Sequence, residues 1–349
     1  MHADLARHFA QDGYDVTFLS SALASRVDKV ELPTHLAGQI IVPRQDRWRF
    51  RHYFTPAHEF RLKAVAAMRD LDCDAFYSLT YFDAAAWCAA KGKGSTARLI
   101  VHSIGVPNAK VYRRVPWDGQ MMAGSIKKAD KVFVLSRFAA DQTHQHYGRM
   151  PEVLPPPVDF DAFDKKQMPP DRPTVLFCGD VNEPRKGADV LIRAAGILTK
   201  DIPDLTVVYS GAVAPARQAS LEALARDSGV SATFLGTGNR SDIPQLYRSA
   251  SVVVLPSQWE AFGLVLVEAM ASGTPVVAAK EGGGADIVND ERVGTLFDAN
   301  ASAPEKVLAD AIRQSMEKAQ DTATIDACRA RARDFDWRQL GPLYRQAVA

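Results

Sequence analysis

Residues 256–275 read Pro-Ser-Gln-Trp-Glu-Ala-Phe-Gly-Leu-Val-Leu-Val-Glu-Ala-Met-Ala-Ser-Gly-Thr-Pro. The four apolar residues before them, 252–255, predict a buried strand, and the apolar run inside them predicts a helix from residue 262 or 263 to residue 272. Gly273 is placed to cap the end of this helix, and Pro275 to stop it. The stretch therefore predicts a strand, a loop and a helix in immediate succession.

Two glutamates lie eight residues apart in this stretch, Glu260 on the predicted loop and Glu268 on the second turn of the helix. Glu268 has apolar neighbours on both sides, so its charge needs a hydrogen-bonding partner, and a ligand rich in hydroxyls would serve. At the helix start the amides of Phe262, Gly263 and Leu264 point outward and, with the helix dipole, form a site suited to phosphate. The alternative is an ordinary loop and helix with two surface acids.

The pattern Glu-Ala-Phe-Gly-x-x-x-x-Glu, followed by Ala-x-Ala-x-Gly-x-Pro-Val-Val and by the glycine-rich segment 282–288, resembles the signature of the retaining glycosyltransferases of family 4. The resemblance extends over nearly the whole chain and is strongest in its second half. It implies the GT-B fold, an α/β architecture of two Rossmann-like domains whose parallel sheets face a central cleft. It also implies transfer of a hexose from a nucleotide diphosphate sugar to an acceptor hydroxyl, in the synthesis of a glycan, polysaccharide or glycolipid.

The bulk composition is that of a globular protein with two domains. The chain has 349 residues, 47% of them hydrophobic, and both halves alternate predicted strands with helices, which implies parallel sheets. The formal net charge of +1 gives no global indication of nucleic-acid binding. The four cysteines (Cys73, Cys88, Cys178 and Cys328) lack metal-site spacing and are interpreted as reduced thiols. With no signal peptide and no membrane-spanning apolar run, we expect a cytoplasmic protein.

A polar segment with two prolines, residues 164–172, predicts the linker between the domains. We expect a first, acceptor-side domain in residues 1–165, a second, nucleotide-sugar-binding domain in residues 172–335, and a last helix in 336–349 that returns to the first domain. The chain opens with a predicted helix, whereas members of the family begin with a strand and a glycine-rich loop. The first strand is central in a doubly wound sheet, so its absence here would leave a gap between its neighbours.

Basic and aromatic residues are interleaved between Arg44 and Lys63. This stretch contains six Arg or Lys residues and two acidic residues. One interpretation is a solvated loop and helix face. The other is a surface for anionic lipid headgroups or a lipid-phosphate acceptor, which would place the protein peripherally at the cytoplasmic membrane. Single-stranded nucleic acid also suits such a pattern. However, one stretch in a near-neutral chain is weak support, and we expect no nucleic-acid partner.

Two further candidates follow predicted strands, at the edge where parallel sheets bind ligands. His102 ends the strand predicted at 98–101; a structural histidine is one interpretation, and the resemblance implies contact with the donor sugar and the reacting centre. In relatives, Gly-Arg-x-x-x-x-x-Lys-Gly binds the donor diphosphate through its Arg and Lys. Lys186 matches the Lys, whereas Asp180 stands in place of the Arg. We expect Arg185 to supply the missing charge, and Asp180 to point away from the phosphate or to pair with Arg185 or another cation.

The resemblance assigns roles to these residues. The predicted catalytic residues are His102, Lys186 and Glu260, and the predicted donor-binding residues are Arg185, Phe262, Gly263, Leu264 and Glu268. Glu268 would accept hydrogen bonds from ribose hydroxyls and Glu260 from sugar hydroxyls, while Lys186, the helix amides and Arg185 would stabilise the leaving diphosphate. No metal and no cofactor is implied, and the partners are a nucleotide-sugar donor and a glycan or lipid-linked acceptor.

The alternative function is that of a degenerate sugar-nucleotide-binding protein. The missing first strand and the carboxylate of Asp180 would each favour a protein that binds a sugar nucleotide without turning it over. The residues leave the nucleotide, the sugar and the acceptor open.

Overall fold

The computed structural model describes residues 2–23, 38–44, 56–91, 95–108, 116–164 and 172–349. They form two compact units: unit 1 comprises Met1–Pro157 with Gly341–Ala349, and unit 2 comprises Val158–Leu340. Each unit alternates helices with strands, and every strand pair described is parallel. The predicted fold class, two α/β domains of the Rossmann-like type, is confirmed.

Unit 1 carries its elements in the following order: α1 (His2–Gln11), β1 (Thr17–Leu23), β2 (Gly38–Arg44), α2 (Pro56–Arg69), β3 (Ala75–Ser78), α3 (Tyr81–Lys91), β4 (Arg98–Ser103), α4 (Pro116–Lys128), β5 (Lys131–Val134), α5 (Arg137–Tyr147) and β6 (Glu152–Val153). Strands β1 and β2 pair in one sheet, and β3, β4, β5 and β6 form a second sheet in that order. The described strands of unit 1 thus lie in two sheets.

The last nine residues of the chain belong to unit 1, where side chains and carbonyl groups hold them. The Tyr344 hydroxyl donates to the Pro155 carbonyl (2.9 Å), and Arg345 forms an ion pair with Asp12 (2.7 Å). The Arg98 guanidinium donates to the Val348 carbonyl (2.6 Å). These contacts place residues from Gly341 onward in unit 1, as the sequence predicted for the end of the chain.

Unit 2 follows with these elements: α6 (Phe160–Phe163), β7 (Thr174–Cys178), α7 (Ala188–Leu198), β8 (Thr206–Ser210), α8 (Pro215–Asp227), β9 (Ser231–Gly236), α9 (Ile243–Arg248), β10 (Val252–Leu255), α10 (Leu264–Ala271), β11 (Val276–Ala279), α11 (Gly284–Ile287), β12 (Gly294–Phe297), α12 (Pro304–Glu317), α13 (Thr322–Arg333) and α14 (Trp337–Val348), of which α14 ends in unit 1. The strands form one sheet in the order β12-β11-β10-β7-β8-β9. Every residue of β10 and β11 is buried, as expected of parallel strands covered on both faces.

The strand order of unit 2 reverses between β7 and β10. The chain runs from β7 outward to β9, then crosses back to β10 and continues outward on the other side to β12. In an open parallel sheet, the crevice at the carboxyl ends of the strands on either side of such a reversal is the usual ligand site. The loops that follow β7 and β10 therefore emerge side by side at this place.

Two boundaries differ from those predicted: unit 2 begins at Val158 and ends at Leu340, whereas the sequence analysis placed the second domain in residues 172–335. Residues 158–164 belong to unit 2, where the sequence placed them in the first domain, because Val158 bridges Asp336 and the Phe160 amide donates to the Asp336 carboxylate (3.3 Å). Of the predicted linker, residues 165–171 lie outside the described residues. The basic surface predicted between Arg44 and Lys63 also lies largely outside them, and membrane contact there stays a prediction.

The ends of β7 and β8 pack so closely that Gly211 has no room for a side chain. A Cβ at residue 211 would lie 1.8 Å from the carbonyl oxygen of Gly179, and Gly211 has a φ of +142°. The Gly179 amide donates to the Ser210 carbonyl (2.9 Å), and the Gly211 amide to that of Gly236 (2.9 Å). These bonds hold the strand ends together at the edge where the ligand crevice begins.

We predict that Gly211→Ala lowers the free energy of unfolding by about 2–4 kcal/mol, because the methyl group forces the two strand ends apart. The matched control is Gly229→Ala, at a φ of +66° with nothing within 4 Å of its Cβ position. That substitution carries only the left-handed backbone strain, about 1–2 kcal/mol. Urea unfolding of both variants measures the difference, and equal losses would contradict the assignment of the close contact.

Candidate functional site

The loop after β10 carries the first predicted group of site residues. Glu260 lies in this loop, after Trp259, whose φ of 59° is a strained value for a non-glycine residue. The ring of Phe262 is buried and packs edge-on against Phe335, with centroids 5.4 Å apart. Gly263, at a φ of 101°, then leads into α10. The helix thus begins within two residues of its predicted start, and its first amides have no acceptors within the helix.

The loop after β7 carries the second group. Residues Pro184–Lys186 form a short 3-10 turn that ends at Gly187, which has a φ of 74°. A Cβ at residue 187 would lie 2.7 Å from the Pro256 carbonyl oxygen. In addition, the Gln258 amide donates to the Arg185 carbonyl (2.8 Å). The backbones of the two loops are therefore in direct contact.

This contact brings three predicted site residues into one charged cluster. Lys186 Nζ lies 2.6 Å from the Glu260 carboxylate, and each side chain is only 16% exposed. Arg185 lies 3.8 Å from the same carboxylate and 2.7 Å from that of Glu183. The sequence assigned Lys186 to phosphate and Glu260 to sugar hydroxyls. The structure shows the two groups paired with each other.

A glycine turn holds the backbone of Glu260 from another side. The Gly283 amide donates to the Glu260 carbonyl (2.8 Å), and a Cβ at residue 283 would lie 2.5 Å from the Ala261 carbonyl oxygen. Arg331 of α13 donates to the carbonyl groups of Asp286 (2.6 Å) and Ile287 (3.0 Å) at the end of α11. The glycine turn next to the site was predicted, whereas the role of Arg331 as its support was not.

Glu268 lies on α10, as predicted, and accepts a hydrogen bond from the hydroxyl of Tyr247 (2.8 Å). Tyr247 lies in the last turn of α9 and is 1% exposed. Burial and the charge of Glu268 raise the pKa of Tyr247 well above its ordinary value of 10, so the hydroxyl keeps its proton. Tyr247 is a residue that sequence analysis missed, since a tyrosine in a short helix carries no signal beyond core packing.

Asp180 does not pair with Arg185. Its carboxylate accepts hydrogen bonds from the backbone amide (2.9 Å) and the side-chain amide (2.8 Å) of Asn182. The Asn182 side chain in turn accepts from the Ala214 amide (2.7 Å). The Asp180 carboxylate is therefore engaged in hydrogen bonds within its own turn, while Arg185 pairs with Glu183 and Glu260.

His102 lies in unit 1, at the predicted end of β4, and is fully buried. Its Nδ1 shares a hydrogen bond with the Tyr77 hydroxyl (2.7 Å), and Tyr344 and Phe133 pack around the ring. Burial lowers the pKa of His102 from 6.5 to about 3, with the Leu154 backbone acting weakly in the opposite direction. Its contact with a donor sugar stays a prediction.

Other predicted features can be located as well. Ser136 caps α5, its hydroxyl oxygen accepting a hydrogen bond from the Ala139 amide (3.1 Å). All four cysteines are free thiols. In the described part of the chain, no three His, Cys, Asp or Glu side chains group as metal ligands would, and no helix there has the length and apolar character needed to cross a membrane.

Two parallel-sheet units, with an acid–base cluster at the strand reversal of the second, define a protein built from two Rossmann-like domains. The family model described as Glycosyl transferases group 1 matches residues 159–333, and that described as Glycosyltransferase Family 4 matches residues 2–162. The chain belongs to the group 1 glycosyl transferases.

Curated relatives include the D-inositol 3-phosphate glycosyltransferase of Paenarthrobacter aurescens, which is 31% identical over 230 residues, or 60% of this chain and 56% of the relative. That of Mycobacterium sp. strain KMS is 36% identical over 50% of this chain and 42% of the relative. The chain thus spans about half the length of the curated relatives it matches.

Solved structures share the fold over almost the whole chain. The sucrose-phosphate synthase of Thermosynechococcus elongatus superposes with a TM-score of 0.83 at 21% identity, covering 98% of this chain and 91% of that chain. Anabaena HepE, solved in complex with UDP and glucose, gives a TM-score of 0.76 at 22% identity, covering 99% and 95% of the two chains. At these identities the likeness establishes the fold.

We predict that His102 makes unit 1 less stable at acidic pH. Its folded pKa of about 3 lies below the unfolded value of 6.5, so the unfolded chain binds one more proton between these values. The contribution of His102 to the free energy of unfolding is fully present above pH 6.5 and is lost as the pH falls from 6.5 toward 3. His102→Gln should reduce the number of protons that the chain takes up on unfolding in this pH range by up to about one. A histidine NMR signal assigned through that variant and titrating near pH 6.5 would contradict the prediction.

Proposed function

We propose that the chain is a retaining glycosyltransferase that moves a hexose from a nucleotide diphosphate sugar to an acceptor hydroxyl. The observation that carries this proposal is the cluster of Lys186, Arg185 and Glu260 at the opening of α10, with Glu268 on the same helix. Membership of the group 1 family supports it. The presence of UDP and glucose in the HepE complex makes UDP-glucose the first donor to test.

In this proposal the diphosphate of the donor lies against Lys186, Arg185 and the amides of Phe262, Gly263 and Leu264. The lysine and arginine supply positive charge, and the helix start supplies amide donors aimed at an anion. When the bond between the sugar C1 and the phosphate oxygen breaks, these groups stabilise the negative charge that develops on the leaving diphosphate. The bond from C1 to the acceptor oxygen forms on the same face, and the leaving phosphate takes the acceptor proton.

The two glutamates take different parts of the donor. Glu260 accepts hydrogen bonds from hydroxyls of the transferred sugar, and Glu268 accepts them from the ribose. Lys186 has to serve both Glu260 and the diphosphate, which its three N–H donors allow. His102 is buried in unit 1, so contact with the sugar requires its ring to become accessible. No metal ion takes part in the proposed reaction, and transfer should persist in EDTA.

The proposal is tested by incubating the chain with UDP-, GDP- and ADP-sugars and with glycan, lipid-linked and sugar-phosphate acceptors. Proton NMR of the first product gives the anomeric configuration, and we expect that of the donor to be retained. Glu268→Ala should abolish donor binding in calorimetry, because the ribose loses its acceptor. An inverted product would overturn the retaining mechanism, and binding without any transfer or hydrolysis would favour the degenerate binding protein.

We predict that Lys186→Met weakens binding of the nucleoside diphosphate by tenfold or more, on the order of one hydrogen bond to a charged group. The variant also leaves Glu260 without its close cation, which adds repulsion toward the phosphates. Lys280→Met is the matched control, because Lys280 is 51% exposed and pairs with Asp298 in the same unit. Isothermal titration calorimetry compares the two variants. An unchanged affinity in Lys186→Met would remove the lysine from the site.

A further inference from the structure

Tyr247 contributes a buried hydroxyl to the candidate site. It lies in the last turn of α9, and the residue is 1% exposed. The hydroxyl donates to one oxygen of the Glu268 carboxylate across 2.8 Å. A phenylalanine would fill nearly the same space, so packing alone does not call for the oxygen atom at this position.

The tyrosine is held at both ends, so its hydroxyl has a fixed position. The Thr274 hydroxyl donates to the Tyr247 carbonyl (2.9 Å) from the turn that follows α10. The ring packs against Phe163 of α6, with centroids 6.0 Å apart. The buried ring and the bonded carbonyl group thus define the position from which the Tyr247 hydroxyl reaches Glu268.

A third group completes the arrangement at the end of β7. The thiol of Cys178 interacts with the Tyr247 hydroxyl and with Ser210, and burial raises the pKa of this thiol to about 12. The thiol is thus neutral at ordinary pH and adds no charge beside Glu268. The Tyr247 hydroxyl keeps its own proton directed at the carboxylate.

We propose that Tyr247 is a positioning residue: by donating its proton to one oxygen of Glu268, it holds the carboxylate in the orientation that accepts the ribose hydroxyls of the donor. This inference rests on the proposed function. An ionised carboxylate has about four acceptor positions, and the bond from Tyr247 uses one of them. Tyr247 acts through Glu268 and does not itself contact the donor.

The test compares ribonucleotides with their 2′,3′-dideoxy forms, which lack both ribose hydroxyls, in a single variant. Calorimetry first identifies which of UDP, GDP and ADP binds the wild-type chain, and the matching 2′,3′-dideoxynucleoside diphosphate is then titrated. Tyr247→Phe should weaken the ribonucleotide about tenfold, the worth of one well-oriented hydrogen bond to a charged group, and the dideoxynucleotide less than about twofold. Because the ratio is taken within one variant, a general loss of stability does not change it.

Tyr209→Phe is the matched control. Tyr209 is also 1% exposed in unit 2, but its hydroxyl donates to the Ala188 carbonyl (2.9 Å). The Tyr209→Phe variant should keep the wild-type preference for the ribonucleotide over the dideoxynucleotide.

Two results would overturn the positioning role: equal weakening of both nucleotides in Tyr247→Phe, or no weakening of either. If Glu268→Ala abolishes binding of the ribonucleotide while Tyr247→Phe binds it with the wild-type preference over the dideoxynucleotide, the role of Tyr247 fails and the proposed function stands. If the wild-type chain binds none of the three nucleotides, the proposed function and this inference fall together.

Discussion

The charged residues of unit 2 meet because Gly187 has no side chain. A Cβ there would lie 2.7 Å from the Pro256 carbonyl oxygen, so any other residue would push the loop after β7 away from the loop after β10. With glycine in place, the Arg185 carbonyl accepts the Gln258 amide at 2.8 Å. The loops carrying Lys186 and Glu260 are therefore positioned through their backbones. Because the backbones are already in place, less conformational entropy has to be lost when the two side chains form their ion pair.

The surroundings of that ion pair favour exchange with an anionic ligand. At 16% exposure, the Lys186 and Glu260 side chains are largely withdrawn from water and lie in direct contact. Glu260 holds the lysine in place. A diphosphate that reaches the lysine brings more negative charge than one carboxylate, and Arg185, 3.8 Å from Glu260, adds a second cation to balance it. In the proposed function, the pair thus keeps Lys186 oriented for the phosphates of the donor.

Sequence patterns predicted the local elements well, because these depend on neighbouring residues. The apolar run before residue 256 and the Gly-Thr-Pro turn at 273–275 define β10 and the end of α10 whatever surrounds them. The pairing of Lys186 with Glu260 was not predictable, since it depends on β10 returning to lie beside β7 in the sheet. The position of His102 at a strand end was predicted, but its burial arises from Tyr344, which arrives from the last helix of the chain.

The two glutamates of residues 256–275 differ in their partners, and the difference orients a bound donor. Glu260 is paired with a cation, so a ligand group that approaches it must compete for or share positive charge. Glu268 is bonded to the neutral hydroxyl of Tyr247, so further hydroxyls can join it without any change in charge, whereas a phosphate beside it would be repelled. These charges agree with the proposed function, in which the anionic part of the donor lies near residue 186 and the ribose near residue 268. A nucleotide sugar carries both parts in one molecule, joined in that order.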